Sequence, residues 1–186
     1  MITAGVIAGL DTPGRVAGTV TAGFGMEAAV VWRFGWSTPL AAYSCFAVMG
    51  AVVSATDLAA RRIPNLIVTP AYPITAVLLV VASISSGPCW PLARAGIAAG
   101  GLAAFYLVLG LAFPAGVGLG DVKWAGISGA YLGWLAWSPV LTGTLIGFLT
   151  AAVALLAASI VGRHQSTLPM APFMTLGAIV AVLATR

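Results

Sequence analysis

The chain has 186 residues, 61% of them hydrophobic and 6% charged, with a mean hydropathy of +1.08; this excludes an ordinary water-soluble domain, in which about a quarter of the residues carry charge. Eight Lys and Arg against four Asp and Glu give a formal charge of +4, but the basic residues stand singly or in pairs between apolar stretches, so they mark topology and not a nucleic-acid surface. Cys45 lies inside an apolar stretch and Cys89 in a Pro-flanked connector, and without a CxxC pair neither a zinc knuckle nor a disulfide framework is expected.

The first residues lack a basic region and are broken by Asp11 and Arg15, so no cleaved signal peptide is expected and the whole chain is read as mature. Residues 16–32 form a Gly- and Ala-rich, weakly apolar stretch holding Glu27, which either spans a bilayer or lies in its interface. A connector, Arg33 to Ser37, precedes a clear span over residues 38–56, ended by Asp57 and the pair Arg61 and Arg62. The next span covers residues 66–85; Pro70 and Pro73 kink it, which a helix bundle tolerates. After the turn Gly87-Pro88-Cys89-Trp90-Pro91 comes a span over residues 92–113.

The segment from Pro114 to Asp121 holds three glycines and a proline in eight residues and reads as a loop at the membrane boundary. Spans over residues 122–137 and 139–161 follow, joined in a tight hairpin at Ser138. A polar connector with Arg163 and His164 leads to a last span over residues 168–185, opened by Pro169 and Pro172. His164, alone beside Arg163, reads as a solvated loop residue and not a metal ligand. Each stretch is long enough to cross about 30 Å of hydrocarbon as a helix. The expected fold class is therefore all-α: a polytopic transmembrane bundle of six to seven spans, forming one domain over residues 1–186 within a lipid bilayer.

Placing Arg61 and Arg62 in the cytoplasm puts Lys123 and Arg163 there by alternation and leaves Arg33, Arg94 and Arg186 opposite, in keeping with the positive-inside bias. The tryptophans at the span ends, Trp32, Trp36, Trp90, Trp134 and Trp137, read as interface anchors. The same alternation brings Asp57 and Asp121 to one side, each at a helix end. A lone aspartate there serves as a cap or topology marker. Two that converge hold one proton between them, because both cannot ionise freely at close range. Such a pair activates water for attack on a peptide carbonyl: one carboxylate takes a proton while its protonated neighbour supplies one. That chemistry asks for no metal, no nucleophilic side chain and no cofactor. A proton-coupled transporter relaying protons through the same acids is the rival reading from another class, and an inert assembly partner is a further one.

Gly118-Leu119-Gly120-Asp121-Val122-Lys123 resembles the GxGD motif of the type IV prepilin peptidase family, and Asp57 to Arg62 followed by Ile63-Pro64-Asn65 resembles its first-aspartate segment. Pro172-Phe173 is similar to a pair near the start of the family's last helix, and Arg33 to Ser37 to its connector before the first aspartate. The resemblance implies a membrane aspartic endopeptidase that removes the leader of prepilin-like precursors at the cytoplasmic face of the plasma membrane, serving pilus or secretion machinery. It implies Asp57 and Asp121 as the catalytic pair, with Gly118, Gly120, Pro172 and Phe173 binding substrate or shaping the loop. The glycines would let a substrate backbone approach. Lys123 is expected either to lower the Asp121 pKa or to snorkel. Long family members carry a cysteine-bearing insert and also methylate the new N-terminus; the missing CxxC predicts peptidase activity alone. Presenilin-type proteases share GxGD, but their first aspartate follows a tyrosine, whereas Thr56 precedes Asp57 here.

Overall fold

A computed structural model describes residues 13–86, 89–113, 116–161 and 168–185. These residues form seven α-helices and no β-strand: α1 (Pro13–Phe34), α2 (Pro39–Ala60), α3 (Asn65–Ser86), α4 (Trp90–Ala112), α5 (Leu119–Leu135), α6 (Trp137–Ile160) and α7 (Ala171–Ala184). The expected all-α polytopic bundle is the fold. Helices α2, α4 and α6, and residues Asn65–Ser85 of α3, are long and apolar enough to cross a membrane. Helix α7, with 14 residues, is apolar but shorter. Asp11, Gly87, Pro88, Pro114, Ala115, the connector with Arg163 and His164, and Arg186 lie outside the described residues.

Several boundaries differ from the sequence reading, each for a local reason. Arg33 and Phe34 belong to α1, and the turn falls at Gly35, where φ is +53°, a left-handed conformation that glycine adopts without Cβ strain. Pro70 and Pro73 sit inside α3, where the sequence reading placed them. The expected loop through Asp121 stops earlier: Gly118 is the N-cap of α5, so Gly120 and Asp121 are already helical. The hairpin between α5 and α6 breaks at Ala136 and not at Ser138, with Ala136 extended (φ −168°, ψ 176°). Arg94 explains that break. Its guanidinium donates to the carbonyl oxygens of Gly133, Trp134 (2.6 Å) and Leu135 (2.6 Å), carbonyls that the end of a helix leaves without partners. Pro169 precedes α7, which starts at Ala171.

Successive helices run antiparallel, α6 and α7 by the pairing of Gly143 with Gly177 and of Gly147 with Phe173, so the ends of α2, α4 and α6 lie toward the starts of α3, α5 and α7 at one end of the bundle. Arg33 marks the other end by donating to the Thr185 carbonyl at 2.9 Å. The centre is aromatic. Trp124 and Tyr131 of α5 and Tyr43 and Phe46 of α2 are all fully buried. Phe46 stacks on Trp124 with centroids 5.5 Å apart, and the Tyr43 hydroxyl donates to the Tyr131 carbonyl at 2.7 Å. Trp32, Trp36, Trp90 and Trp137 are exposed at helix ends, as interface anchors require. Trp134 instead is buried and donates to Ser83 at 2.7 Å.

Elsewhere the helices approach through small residues, the device by which apolar helices gain dispersion contact without a hydrophobic drive. Gly129 of α5 faces the α4 backbone, where a Cβ would stand 2.6 Å from the Ala98 oxygen. Gly177 of α7 packs between Gly143 and Gly147 of α6, where a Cβ would reach the Gly143 oxygen and come within 2.6 Å of the Gly147 nitrogen. The obstruction in both cases is backbone, which cannot swing aside. Gly177→Ala should therefore destabilise the detergent-solubilised protein by about 1–3 kcal/mol, measured as a lowered thermal midpoint, whereas Gly100→Ala, with open space at its Cβ, should leave that midpoint within error or raise it.

Candidate active site

Asp57 stands in the last turn of α2. That helix closes on Arg61, which adopts the left-handed conformation (φ 50°, ψ 38°) and returns its N–H to the Asp57 carbonyl at 2.8 Å. The cap costs a non-glycine residue about 1–2 kcal/mol; Arg61 thus shapes the chain as well as marking its orientation. The Asp57 side chain is 5% exposed. Its Oδ2 accepts the Ala171 N–H at 3.0 Å, and the Met170 amide acts on the same carboxyl. These amides open α7, so Asp57 meets the positive end of a helix dipole. Pro172 follows in the first turn of α7, where its missing N–H costs nothing.

Asp121 occupies the third position of α5. Its Oδ2 accepts the N-cap Gly118 N–H at 2.9 Å, the carboxylate arm of a capping box. Its Oδ1 is buried without a hydrogen-bond partner among the described residues. Burial is the main force on this carboxyl and pushes it from an ordinary 3.8 up to about 6; the Gly118 amide opposes the rise, and the negative charge of Asp57 adds to it. The two aspartates therefore share one end of the bundle and one electrostatic field. Tyr106 of α4, also buried, feels the Asp121 charge.

One helical turn below lies a second layer. Ser54 precedes Asp57 by one turn, Trp124 follows Asp121 by one turn, and Thr175 follows Ala171 by one turn. The Trp124 Nε1–H donates to Thr175 Oγ1 at 3.1 Å, and Ser54 Oγ donates to the same oxygen at 3.3 Å. Gly50 admits this cluster, since a Cβ there would meet Thr175 Cγ2 at 2.5 Å. Three helices are thus pinned directly beneath the carboxylates.

The remaining residues singled out in the sequence fall around the pair, with two changes of role. Gly120 makes room within its own chain: a Cβ there would stand 2.8 Å from Ile63 Cβ, so its bareness admits the α2–α3 connector. Lys123 turns to Asn65, donating from Nζ to Oδ1 at 2.8 Å, instead of to Asp121. Phe173 is half-buried, and its carbonyl lies against Gly147 of α6. The Ala171 amide and the Ser54–Trp124–Thr175 cluster escaped the sequence reading. Their one signal was the shared one-turn offset from Asp57, Asp121 and the Pro172 turn, which means something only once the three helices are known to meet.

An all-helical bundle with several membrane-length segments and two aspartates at one end defines a polytopic membrane protein with an acidic site. The chain belongs to the Type IV leader peptidase family, whose model matches residues 44–185. It is similar to the "Prepilin leader peptidase/N-methyltransferase" of Bacillus subtilis (strain 168), at 33% identity over 153 residues that cover 81% of this chain and 58% of that protein. It thus spans less than two thirds of that relative's length. No solved structure matches the chain.

The upward shift of Asp121 has a consequence for stability. A carboxyl whose folded value, about 6, exceeds its ordinary 3.8 binds its proton more tightly in the folded state, so its contribution is fully present below the ordinary value and is lost as pH rises through about 6. Thermal midpoints in detergent should fall between about pH 4 and pH 7 for the native chain, and Asp121→Asn should remove that component of the slope.

Proposed function

We propose that the chain is a membrane-embedded aspartic endopeptidase that cleaves the leader from prepilin-like precursors. What supports this reading is that Asp57 and Asp121, from separate helices, stand at one end of the bundle with the charge of Asp57 acting on Asp121, in a member of the leader peptidase family. The pair shares one proton. Water between the carboxyls loses a proton to the ionised member as it attacks the scissile carbonyl, while the protonated member gives its own proton to the developing oxyanion; the proton taken from water then passes to the leaving amine as the C–N bond breaks, and the collapsing gem-diol returns the other proton to its carboxylate. Asp121 Oδ1, which has no hydrogen-bond partner among the described residues, is the oxygen that takes part. Gly118 steadies Asp121 through its amide, Gly120 brings Ile63 close, and Pro172 and Phe173 open the helix whose first amide holds Asp57.

The site faces the cytoplasm of a plasma membrane in this proposal, because Arg61, Arg62 and Lys123 lie at the same end as the aspartates while Arg33 and Arg94 bind helix termini at the other. The substrate is a pilin-like precursor of a pilus or secretion system, and residues 1–186 act as one domain.

Asp57→Asn and Asp121→Asn should each abolish cleavage of a co-expressed precursor while the variant protein still accumulates in the membrane. The check is mass spectrometry of the precursor's N-terminus; appreciable cleavage by either variant would refute the dyad. We further propose that the chain acts as a peptidase without methyl transfer, since it holds no CxxC pair. Purified protein given precursor and labelled S-adenosylmethionine should leave the mature N-terminus unlabelled, and transfer of label to that amine overturns this part alone.

A further inference from the structure

The α2–α3 connector and the first turns of α5 are joined by three contacts that the cleavage chemistry does not use. Lys123 Nζ donates to Asn65 Oδ1 at 2.8 Å. The Tyr72 hydroxyl, two turns along α3, donates to the Lys123 carbonyl at 2.8 Å. Ile63 fills the space left open at Gly120. The residues joined stand close in the chain to the two aspartates. Asn65 opens α3, just past the left-handed cap at Arg61 whose N–H binds the Asp57 carbonyl. Pro64 stiffens that passage by fixing its own φ and restricting the residue before it. Lys123 lies two residues beyond Asp121 on the same helix.

We propose that Lys123 and Asn65 are a positioning pair for the cleavage reaction, a charge-assisted hydrogen bond that sets how far the Asp121 turn stands from the Asp57 turn. This rests on the dyad reading given above. Near the level of the carboxylates the described residues also hold the Tyr72 bond to the Lys123 carbonyl and the Ile63 contact at Gly120; the Lys123–Asn65 bond is the one that reaches the first residue of α3. The Ser54–Trp124–Thr175 cluster lies one turn deeper, and the aromatic stack between α2 and α5 lies deeper still. Helix ends swing about such a buried pivot unless something ties them. The ammonium meets a neutral amide oxygen, so the bond draws strength from its one charge without placing a third carboxylate beside the pair. An aspartate at position 65 could form the same bond. The contact at Gly120 limits only how closely the segments approach; the hydrogen bond also limits how far they part.

The test compares steady-state cleavage of one precursor by full-length variants in the same detergent. Asn65→Leu and Lys123→Met should each lower kcat by about ten- to a hundredfold, as a misplacement of roughly an ångström does, with KM little changed. The double variant should be no slower than the slower single, because one bond is lost in all three. Asn65→Asp, which keeps the acceptor oxygen but adds a charge near the pair, should lose less kcat than Asn65→Leu. If Asn65→Leu fails to accumulate, Asn65→Ser draws the acceptor back from the ammonium while keeping a polar helix start. Wild-type kcat in both single variants, independent losses that multiply in the double, or a rise in KM confined to Lys123→Met would each overturn the pairing; the last would mean that the lysine touches substrate. Failure of the dyad is separate, since it appears as cleavage by the Asp57→Asn or Asp121→Asn proteins.

Discussion

The Thr175 hydroxyl is the point on which the active end of the molecule depends. It is fully buried where α2, α5 and α7 meet, and it accepts hydrogen bonds from the Trp124 indole and from Ser54. A polar atom in apolar surroundings costs several kcal/mol when left unpaired, so neither the serine nor the tryptophan can drift without exposing that cost. One turn above, the same three helices carry Asp57, Asp121 and the Ala171 amide. The pivot from which the carboxylate-bearing helix ends rise is therefore a neutral cluster with no part in the chemistry.

Helix ends supply the second theme. Backbone groups at a terminus need partners, and in lipid water is not there to provide them. This chain answers with side chains from distant segments. Arg94 of α4 serves the last carbonyls of α5, Arg33 of α1 serves the end of α7, and Asp57 of α2 serves the first amide of α7. Asp121 serves the N-cap amide of its own helix. The cations meet carboxyl ends and the carboxylates meet amino ends, as the helix dipole favours. Asp57 is buried and Asp121 half-buried at a site that exists because helix ends converge there.

The two styles of packing divide the labour. Between α6 and α7, and between α4 and α5, glycines bring backbones into contact and leave little freedom to slide. Between α2 and α5 the space is filled by Phe46, Trp124, Tyr43 and Tyr131, which separates the helices that bear the two aspartates. Large rigid rings hold such a separation constant, because an interior at crystal-like density cannot compress.

Composition and apolar run length alone determined that this is a polytopic helical bundle, because about 30 Å of hydrocarbon imposes both the length and the helical form of whatever crosses it. The order of Asp57, Ile63-Pro64-Asn65, Gly118, Gly120 and Asp121 was likewise legible, and with it the expectation that two acids lie at one end. Local competition hid the boundaries: Gly120 and Asp121 resemble loop residues until Gly118 is seen capping α5, and the α5–α6 break moves to Ala136 because Arg94, some forty residues upstream, takes the last carbonyls. Only the tertiary structure decided that Gly120 makes room for Ile63, that Lys123 serves Asn65, and that Asp57 rests on the amide of Ala171. Each joins segments far apart in the chain, and a pattern read along one helix holds no information about which face of another helix it will meet.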